Sequence, residues 1–216
     1  MFFSLTFMTF TALFSSLFTF PSEKFIMYKE RASGMYRLSA YYCAKLTTDL
    51  PLVLCYPFLF MCITYWMVGL RQSAAFLLYV LVAFGNIICA QGVGLDIGAY
   101  FLDMKKAQVA ASIFTLLMML TAGFLVADMP VWIEWVKYLS FIRYSYQICL
   151  SIQFSGRRYA CELPPPGRTD CDISGLKDLL QQDPNADVWP QVLALVGFML
   201  LYRVLGYAIL TLKSPK

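Results

Sequence analysis

The residue types that perform most protein chemistry are missing from this sequence or are not brought together by it. There is no His, which excludes a Ser-His-Asp triad, a Cys-His dyad and a His-ligated zinc or haem site. No pair of acids and no Ser–Lys arrangement lies within the apolar segments, so an embedded enzyme would lack a nucleophile and a base. No G-x-x-x-x-G-K-[ST] motif occurs, so this chain does not bind ATP in the P-loop manner. We therefore predict no catalytic residue, no metal site and no cofactor in this chain, and a multispan membrane enzyme is the least favoured hypothesis.

Two of the seven cysteines could form a bond. Cys161 and Cys171 flank the polar stretch ELPPPGRTD, and in an oxidising compartment this spacing favours a disulfide that closes a small loop. Two free thiols are the alternative. Two Cys without His do not complete a tetrahedral zinc site. The remaining cysteines lie in or beside apolar segments, where we expect them to pack as small hydrophobes.

The composition indicates that lipid surrounds most of the chain. Of 216 residues, 60% are hydrophobic and 14% are charged, compared with about 45–50% and about 25% in soluble domains. The sequence therefore predicts an all-α membrane protein with about five transmembrane helices. Their predicted bounds are about 1–21, 46–69, 74–100, 107–127 and 189–212. The basic residues behind the net charge of +4 are scattered, which argues against a nucleic-acid partner.

Two segments permit other readings. The first span could be a signal peptide, but it lacks a basic n-region and a small-residue cleavage site. The uncharged stretch 144–156 is too short to span the bilayer. With Trp132, Trp135 and Tyr138 forming an interfacial belt before it, we interpret 130–156 as a re-entrant helical hairpin. It lies within a re-entrant and extracellular region over 128–188.

The distribution of Lys and Arg predicts the orientation. They are concentrated between the first two spans, at Lys105 and Lys106, and in the C-terminal tail. The positive-inside rule places these segments in the cytoplasm and the long segment 128–188 outside. The first span would then begin outside with no leader. We therefore expect the sequence to be a truncated form of a longer protein with a further helix before Met1.

The first cytoplasmic segment has the pattern of a short amphipathic helix over about 23–33. Ser22 can cap it, Glu23 complements its dipole, and Gly34 offers a stop. A helix that only anchors to anionic lipid is an alternative that the spacing leaves open.

A few polar or small residues inside the spans also stand out. Arg203 lies midway along the last span, where it would pair with an acid on another helix or snorkel to the interface. Asp96 lies near the cytoplasmic end of its span, and we expect it to be exposed at the interface. Gly94 and Gly98 would let a neighbouring helix approach closely.

Four motifs in order along the chain resemble one family. They are FPSEKFIMYKERASGMYRLSAYY with the following DLP, AQGVGLDIGA at 90–99, DMKKA at 103–107 and LLYRVLGYAIL at 200–210. These motifs are similar to the transmembrane domain of G-subfamily (white/brown complex) ABC half-transporters, especially the plant members. The resemblance covers essentially all of 1–216. It implies the ABC-2 type exporter fold, in which six helices follow a nucleotide-binding domain. That domain and the first helix are absent here, and Asp96 departs from the apolar residue usual at its position.

The resemblance also implies roles for particular residues. The helix at 23–33 is similar to the family's coupling helix, whose polar contacts with the nucleotide-binding domain would be Glu23, Lys24, Lys29, Glu30 and Arg31. The helix at 107–127 is similar to the one that lines the central cavity. Its cavity candidates are Ser112, Leu116 and Met119, spaced to share one face, although ordinary helix packing would explain the same spacing. Phe124 and Leu125 fall at the family's apolar gate, where Phe124 is larger than usual.

These expectations combine into a functional prediction. The chain would be the membrane half of an ATP-binding-cassette exporter for lipid-like or amphipathic molecules such as a sterol, a wax or cutin precursor, a terpenoid or a hormone. It would dimerise with an identical or different half-transporter in the plasma membrane, with its C-terminus in the cytoplasm. ATP and Mg would bind the missing nucleotide-binding domain. The alternative is a truncated, non-transporting protein that dimerises with full-length half-transporters and modulates them.

Overall fold

A computed structural model describes residues 1–33, 37–69, 74–101, 103–122, 134–154 and 188–213. Every regular element among them is helical. We number the α-helices as follows: α1 (Phe2–Leu17), α2 (Thr19–Ala32), α3 (Leu38–Met67), α4 (Ala74–Tyr100), α5 (Met104–Thr121), α6 (Phe141–Phe154) and α7 (Val188–Lys213). A 3₁₀ helix, Glu134–Leu139, precedes α6.

The long apolar segments form helices where the sequence predicts them. Within the described ranges, four stretches are long and apolar enough to cross a membrane: Phe2–Glu23, Leu38–Met67, Ala75–Tyr100 and Val188–Leu212. The remaining predicted span corresponds to α5, which begins at Met104 with Asp103 as its N-cap. The Asp103 carboxylate accepts a hydrogen bond from the Lys105 amide. Residues 123–127 of that prediction lie outside the described residues.

Helices α2 and α3 begin four or more residues earlier than the sequence patterns predict. Helix α2 starts at Thr19, directly after the Phe18 cap of α1, so Ser22 does not cap it. The Ser22 hydroxyl instead donates to the Thr19 carbonyl oxygen from inside the helix. Helix α3 starts at Leu38 rather than 46 and stays helical through Pro51 and Pro57. Both helices are longer than their residue propensities suggested. Packing against neighbouring helices stabilises helical turns that the local sequence favours only weakly.

Helix α4 is the centre of the bundle and runs parallel to α1. The Ser4 and Tyr79 hydroxyls are 3.3 Å apart, and farther along both helices Asn86 donates to Thr9 over 2.7 Å. The predicted close approach at the glycine pair is confirmed. A Cβ atom on Gly94 would overlap the Leu13 carbonyl oxygen and the Ser16 hydroxyl, and one on Gly98 would lie 2.5 Å from the Leu17 carbonyl oxygen.

Helix α7 packs on another side of α4, again against glycines. A Cβ atom on Gly85 or Gly92 would lie 2.9 Å from the side chain of Leu195 or Tyr202, respectively. Residue numbers rise along both helices from the first pair to the second, so α7 is parallel to α4. Helices α1, α4 and α7 therefore start at one end of the bundle and finish at the other.

Helix α3 runs in the opposite direction. Tyr42, near its start, donates to the Arg203 carbonyl oxygen in the second half of α7 over 3.1 Å. Tyr65, near its end, accepts from Gln153 of α6 over 3.0 Å. The ends of α1, α4 and α7 and the start of α3 thus lie at the same end of the bundle, as predicted from the alternating spans.

Of the segment 130–156 predicted as a re-entrant hairpin, the described residues 134–154 form the 3₁₀ helix followed by α6. Ser140 joins the two and donates to the Met118 carbonyl oxygen of α5 over 3.1 Å. Helix α6 buries Phe141, Ile142 and Cys149 in the same core as α4. The Tyr146 ring meets Phe2 edge to face, with centroids 5.4 Å apart. Helix α6 therefore packs at the end of the bundle where α1 begins.

Candidate functional site

The clearest candidate site is an apolar groove of about 410 Å³ between α1 and α5. All three cavity residues predicted from the resemblance, Ser112, Leu116 and Met119, line it. Their role in binding stays a prediction, but the structure brings them together on one face. The other lining residues are Thr115 of α5 and Phe3, Thr6, Phe7 and Phe10 of α1.

The groove presents mostly apolar surface, because the two α5 hydroxyl groups that line it bond to their own helix and the Thr6 hydroxyl of α1 is buried. The Ser112 hydroxyl donates to the Gln108 carbonyl oxygen over 2.9 Å, and the Thr115 hydroxyl donates to the Ala111 carbonyl oxygen over 2.8 Å. Leu116 is 59% exposed, so packing within the described chain does not account for its position. What remains open is a leucine, a methionine and aromatic rings, which suit an apolar ligand.

Sequence analysis named no residue of α1 for this groove, and the structure supplies Phe3, Phe7 and Phe10. Each is between 46% and 66% exposed, although the opposite face of α1 is buried against α4. The spacing i, i+4, i+7 was the available signal. It was obscured because α1 is apolar around most of its circumference.

The predicted coupling helix corresponds to α2, and one of its five predicted contact residues pairs with side chains of α3. The Glu23 carboxylate pairs with the Lys45 ammonium at 2.6 Å and accepts from the Tyr41 hydroxyl at 2.8 Å. Lys45 also lies 3.8 Å from the Asp49 carboxylate. Glu23 therefore anchors α2 to α3, and its contact with a nucleotide-binding domain stays a prediction.

For two of the other predicted contact residues of α2, the structure describes the exposure of the side chain. Lys29 is exposed and Glu30 is half-buried. The side chains of Lys24 and Arg31 lie outside the described structure, as do the predicted gate residues Phe124 and Leu125 and the predicted disulfide partners Cys161 and Cys171. Among the described side chains of these five residues, Lys29 is the one that is exposed, whereas Glu23 and Glu30 are half-buried.

Two charged residues of the spans, Asp96 and Arg203, lie at the same α4–α7 contact. Arg203 donates from Nη2 to the Gln91 side-chain oxygen over 2.9 Å. Asp96 was expected to be exposed at the interface, and this expectation is wrong for its oxygen Oδ1, which is buried. The reason is tertiary: Gly206 of α7 leaves room for the carboxylate, and a Cβ atom there would lie 2.5 Å from Oδ1.

Comparison with known proteins identifies the same family as the motifs. The profile of the ABC-2 type transporter family matches residues 1–154. ABC transporter G family member 21 of Arabidopsis thaliana is 38% identical over 209 residues, which are 96% of this chain and 30% of the relative. Member 14 of the same plant is also 38% identical over 209 residues, 96% of this chain and 32% of the relative.

A third relative matches a shorter region more closely. ABC transporter G family member 22 of Arabidopsis thaliana is 46% identical over 155 residues, which are 71% of this chain and 21% of the relative. The chain therefore spans between a fifth and a third of the length of these three relatives.

Proposed function

Because the chain belongs to the ABC-2 type transporter family and its curated relatives are G-family ABC transporters, we propose that it forms half of the membrane pathway of an ATP-driven exporter. The α1–α5 groove is the observation that carries this proposal. It is apolar, open along one side and within the depth of the spans. A groove of this kind becomes an enclosed cavity when a second copy or a related half-transporter faces it.

The proposed cargo follows from the lining of the groove. Aromatic rings and aliphatic side chains without a charge favour a lipid-like or amphipathic small molecule. A sterol, a wax or cutin precursor, a terpenoid or a hormone would suit such a surface, whereas a highly charged solute would lose its hydration without compensation. The proposed membrane is the plasma membrane, with the C-terminus in the cytoplasm.

The proposed energy source lies outside this chain. The sequence has no P-loop motif, so its residues do not fit ATP and Mg, and a nucleotide-binding domain would hold them. We propose that this domain contacts α2, with Lys29 at the contact. Because Glu23 anchors α2 to α3, a displacement of α2 would be passed to α3 and then to the bundle.

Photolabelling would test binding in the groove. The full chain, expressed in membranes, would be labelled with a photoreactive sterol, and the labelled peptides identified by mass spectrometry. We expect labels on α1 and α5 that Leu116→Trp abolishes by filling the groove. Leu193→Trp is the matched control, because Leu193 is 69% exposed on α7, away from the groove. Equal labelling of both variants would refute the assignment of the groove as the binding site.

Disulfide trapping would test the paired arrangement. Ile113 is 62% exposed on α5 beside the groove, so Ile113→Cys should yield an oxidised dimer in membranes well above the wild-type background. Leu193→Cys should not. A dimer band of the same strength from both variants would show random collision and count against the proposed interface.

Transcript sequencing would test the proposed energy source. The 5′ end of the message from the source tissue should encode a P-loop domain in frame or be accompanied by a separate half-transporter that co-purifies with this chain. If neither is found, the chain has no source of energy and the transport proposal fails.

A further inference from the structure

A polar cluster lies inside the apolar contact between α4 and α7. Gln91 of α4 is fully buried, and its side-chain oxygen accepts the hydrogen bond from Arg203 Nη2 at 2.9 Å. An arginine within an apolar span carries a large desolvation cost, so such residues face the bundle interior and find partners there. Gln91 satisfies one of the two terminal nitrogens of the guanidinium.

Asp96 lies five residues after Gln91 on α4. It faces Gly206, about one turn of α7 beyond Arg203. A Cβ atom added to Gly206 would lie 2.5 Å from Asp96 Oδ1 and 2.8 Å from the Tyr42 hydroxyl oxygen. The carboxylate and the hydroxyl therefore both lie against the backbone of α7, three residues beyond Arg203. Tyr42 donates its hydroxyl proton to the Arg203 carbonyl oxygen, which leaves Asp96 Oδ1 without that donor.

Three atoms of this cluster are buried and have no hydrogen-bond partner in the described part of the chain. They are Asp96 Oδ1, Gln91 Nε2 and Arg203 Nη1. Buried polar atoms are nearly always paired, with protein or with ordered water. Here one atom is an acceptor and two are donors, which is the complement of one water molecule that donates once and accepts twice.

We propose that α4 and α7, closed by Tyr42 of α3, form a buried water-binding site in which a water molecule bridges Asp96 to Gln91 and Arg203. The arginine charge disfavours a bound cation and the aspartate charge disfavours an anion, so a neutral ligand fits the cluster. Asp96 lies four residues before the end of α4, about 6 Å along the helix axis, which leaves a short route for water to enter.

The bridge makes Asp96 and Arg203 positioning residues for α7. Together they are neutral, so each reduces the cost of burying the other. Tyr42 connects the cluster to the start of α3, three residues from Lys45, which holds Glu23 of α2. The water-bridged pair would thus set how α7 sits against the end of the bundle that carries α2. This inference does not depend on transport.

A double-mutant cycle tests the charge pairing in the purified full chain. Asp96→Asn and Arg203→Gln each leave one charge unpaired, and each should lower the thermal denaturation midpoint by roughly 5–10 °C. The double variant is neutral again and should lose clearly less than the sum of the two shifts. Asp103→Asn and Arg37→Gln are matched controls at exposed positions and should shift the midpoint little. Additive losses in the double variant, or equal losses in the controls, would overturn the pairing.

A density map of the wild-type chain in lipid nanodiscs, at a resolution that shows ordered water, tests the bridge directly. We expect a water peak within hydrogen-bond distance of Asp96 Oδ1, Gln91 Nε2 and Arg203 Nη1. Direct contact between Asp96 and Arg203, or a carboxylate turned out of the bundle, would overturn the water site. This measurement needs no variant, so it decides the question even if the substituted proteins do not fold.

Discussion

Helix α1 has two faces that are built in different ways. Toward α4, the backbones meet at Gly94 and Gly98, and Asn86 forms a buried hydrogen bond to Thr9. Toward α5, phenylalanine side chains remain half exposed along an open groove. Close helix packing in a membrane requires small residues, because van der Waals contact drives association there. A binding surface requires large apolar side chains that stay unpacked, so a single helix can be structural on one side and available to a ligand on the other.

Among substitutions that probe the two faces of α1, Gly94→Ala should have the largest effect on stability. The added methyl group would overlap the Leu13 carbonyl oxygen, and separating the two backbones should lower the free energy of unfolding by about 1–3 kcal/mol. Steric trapping in bicelles would measure it. Gly197→Ala on α7 is the control, since nothing lies within 4 Å of its added Cβ. A similar loss in both variants would mean that general helix effects, not the α1–α4 contact, dominate.

The hydrogen bond between Asn86 and Thr9 should have the next largest effect. A cycle of Asn86→Leu, Thr9→Val and the double variant should give a coupling free energy of about 0.6–1.7 kcal/mol, the range for buried hydrogen bonds between membrane helices. The same unfolding measurement would supply it. A coupling near zero would show that this hydrogen bond does not stabilise the α1–α4 contact.

Glu23→Gln extends the comparison to α2, which continues directly from α1. The ion pair with Lys45 is partly exposed, so we expect a loss of only about 0.2–1 kcal/mol. Hydrogen exchange of the α2 amides should nevertheless accelerate, because the anchor to α3 is weakened. Lys29→Gln, at an exposed position of the same helix, should leave exchange unchanged. Unchanged exchange in Glu23→Gln would show that other contacts hold α2.

Phe7→Ala should have the smallest effect on stability, within about 0.5 kcal/mol, because the side chain is 49% exposed. Retention of a sterol probe should weaken by a factor of about five, equivalent to about 1 kcal/mol of lost apolar contact. Binding to vesicles that contain the variant would measure this retention, with Leu193→Ala as the control. A large loss of stability with unchanged binding would reverse the roles assigned to the two faces.

The sequence was sufficient for an all-helical membrane fold, for the alternating directions of α1, α3 and α4, and for the glycine contact. Apolar runs of about 20 residues require helices in lipid, because no water is available to satisfy the backbone. Gly94 and Gly98 are four residues apart and so share a helix face, which made their packing predictable. The family motifs also identified the ABC-2 membrane domain, because they lie in the same order along this chain as in the family.

The start of α2 and the direction of Glu23 were not predictable from local patterns. Ser22 has the form of an N-cap, but α2 starts three residues earlier. Glu23 has the form of a surface charge in an amphipathic helix, yet Lys45 and Tyr41, on a different helix, determine where it points.

Tertiary structure alone decided which apolar residues stay open and which polar residues of the spans share a helix contact. Phe3 and Leu5 look alike in the sequence, but one borders the groove and the other is 1% exposed in the core. Asp96 and Arg203 are more than one hundred residues apart, and the parallel packing of α4 and α7 brings both to the contact between these helices. Composition and periodicity report what a helix can bury. Which neighbour it meets, and at what height, depends on how the backbones fit together.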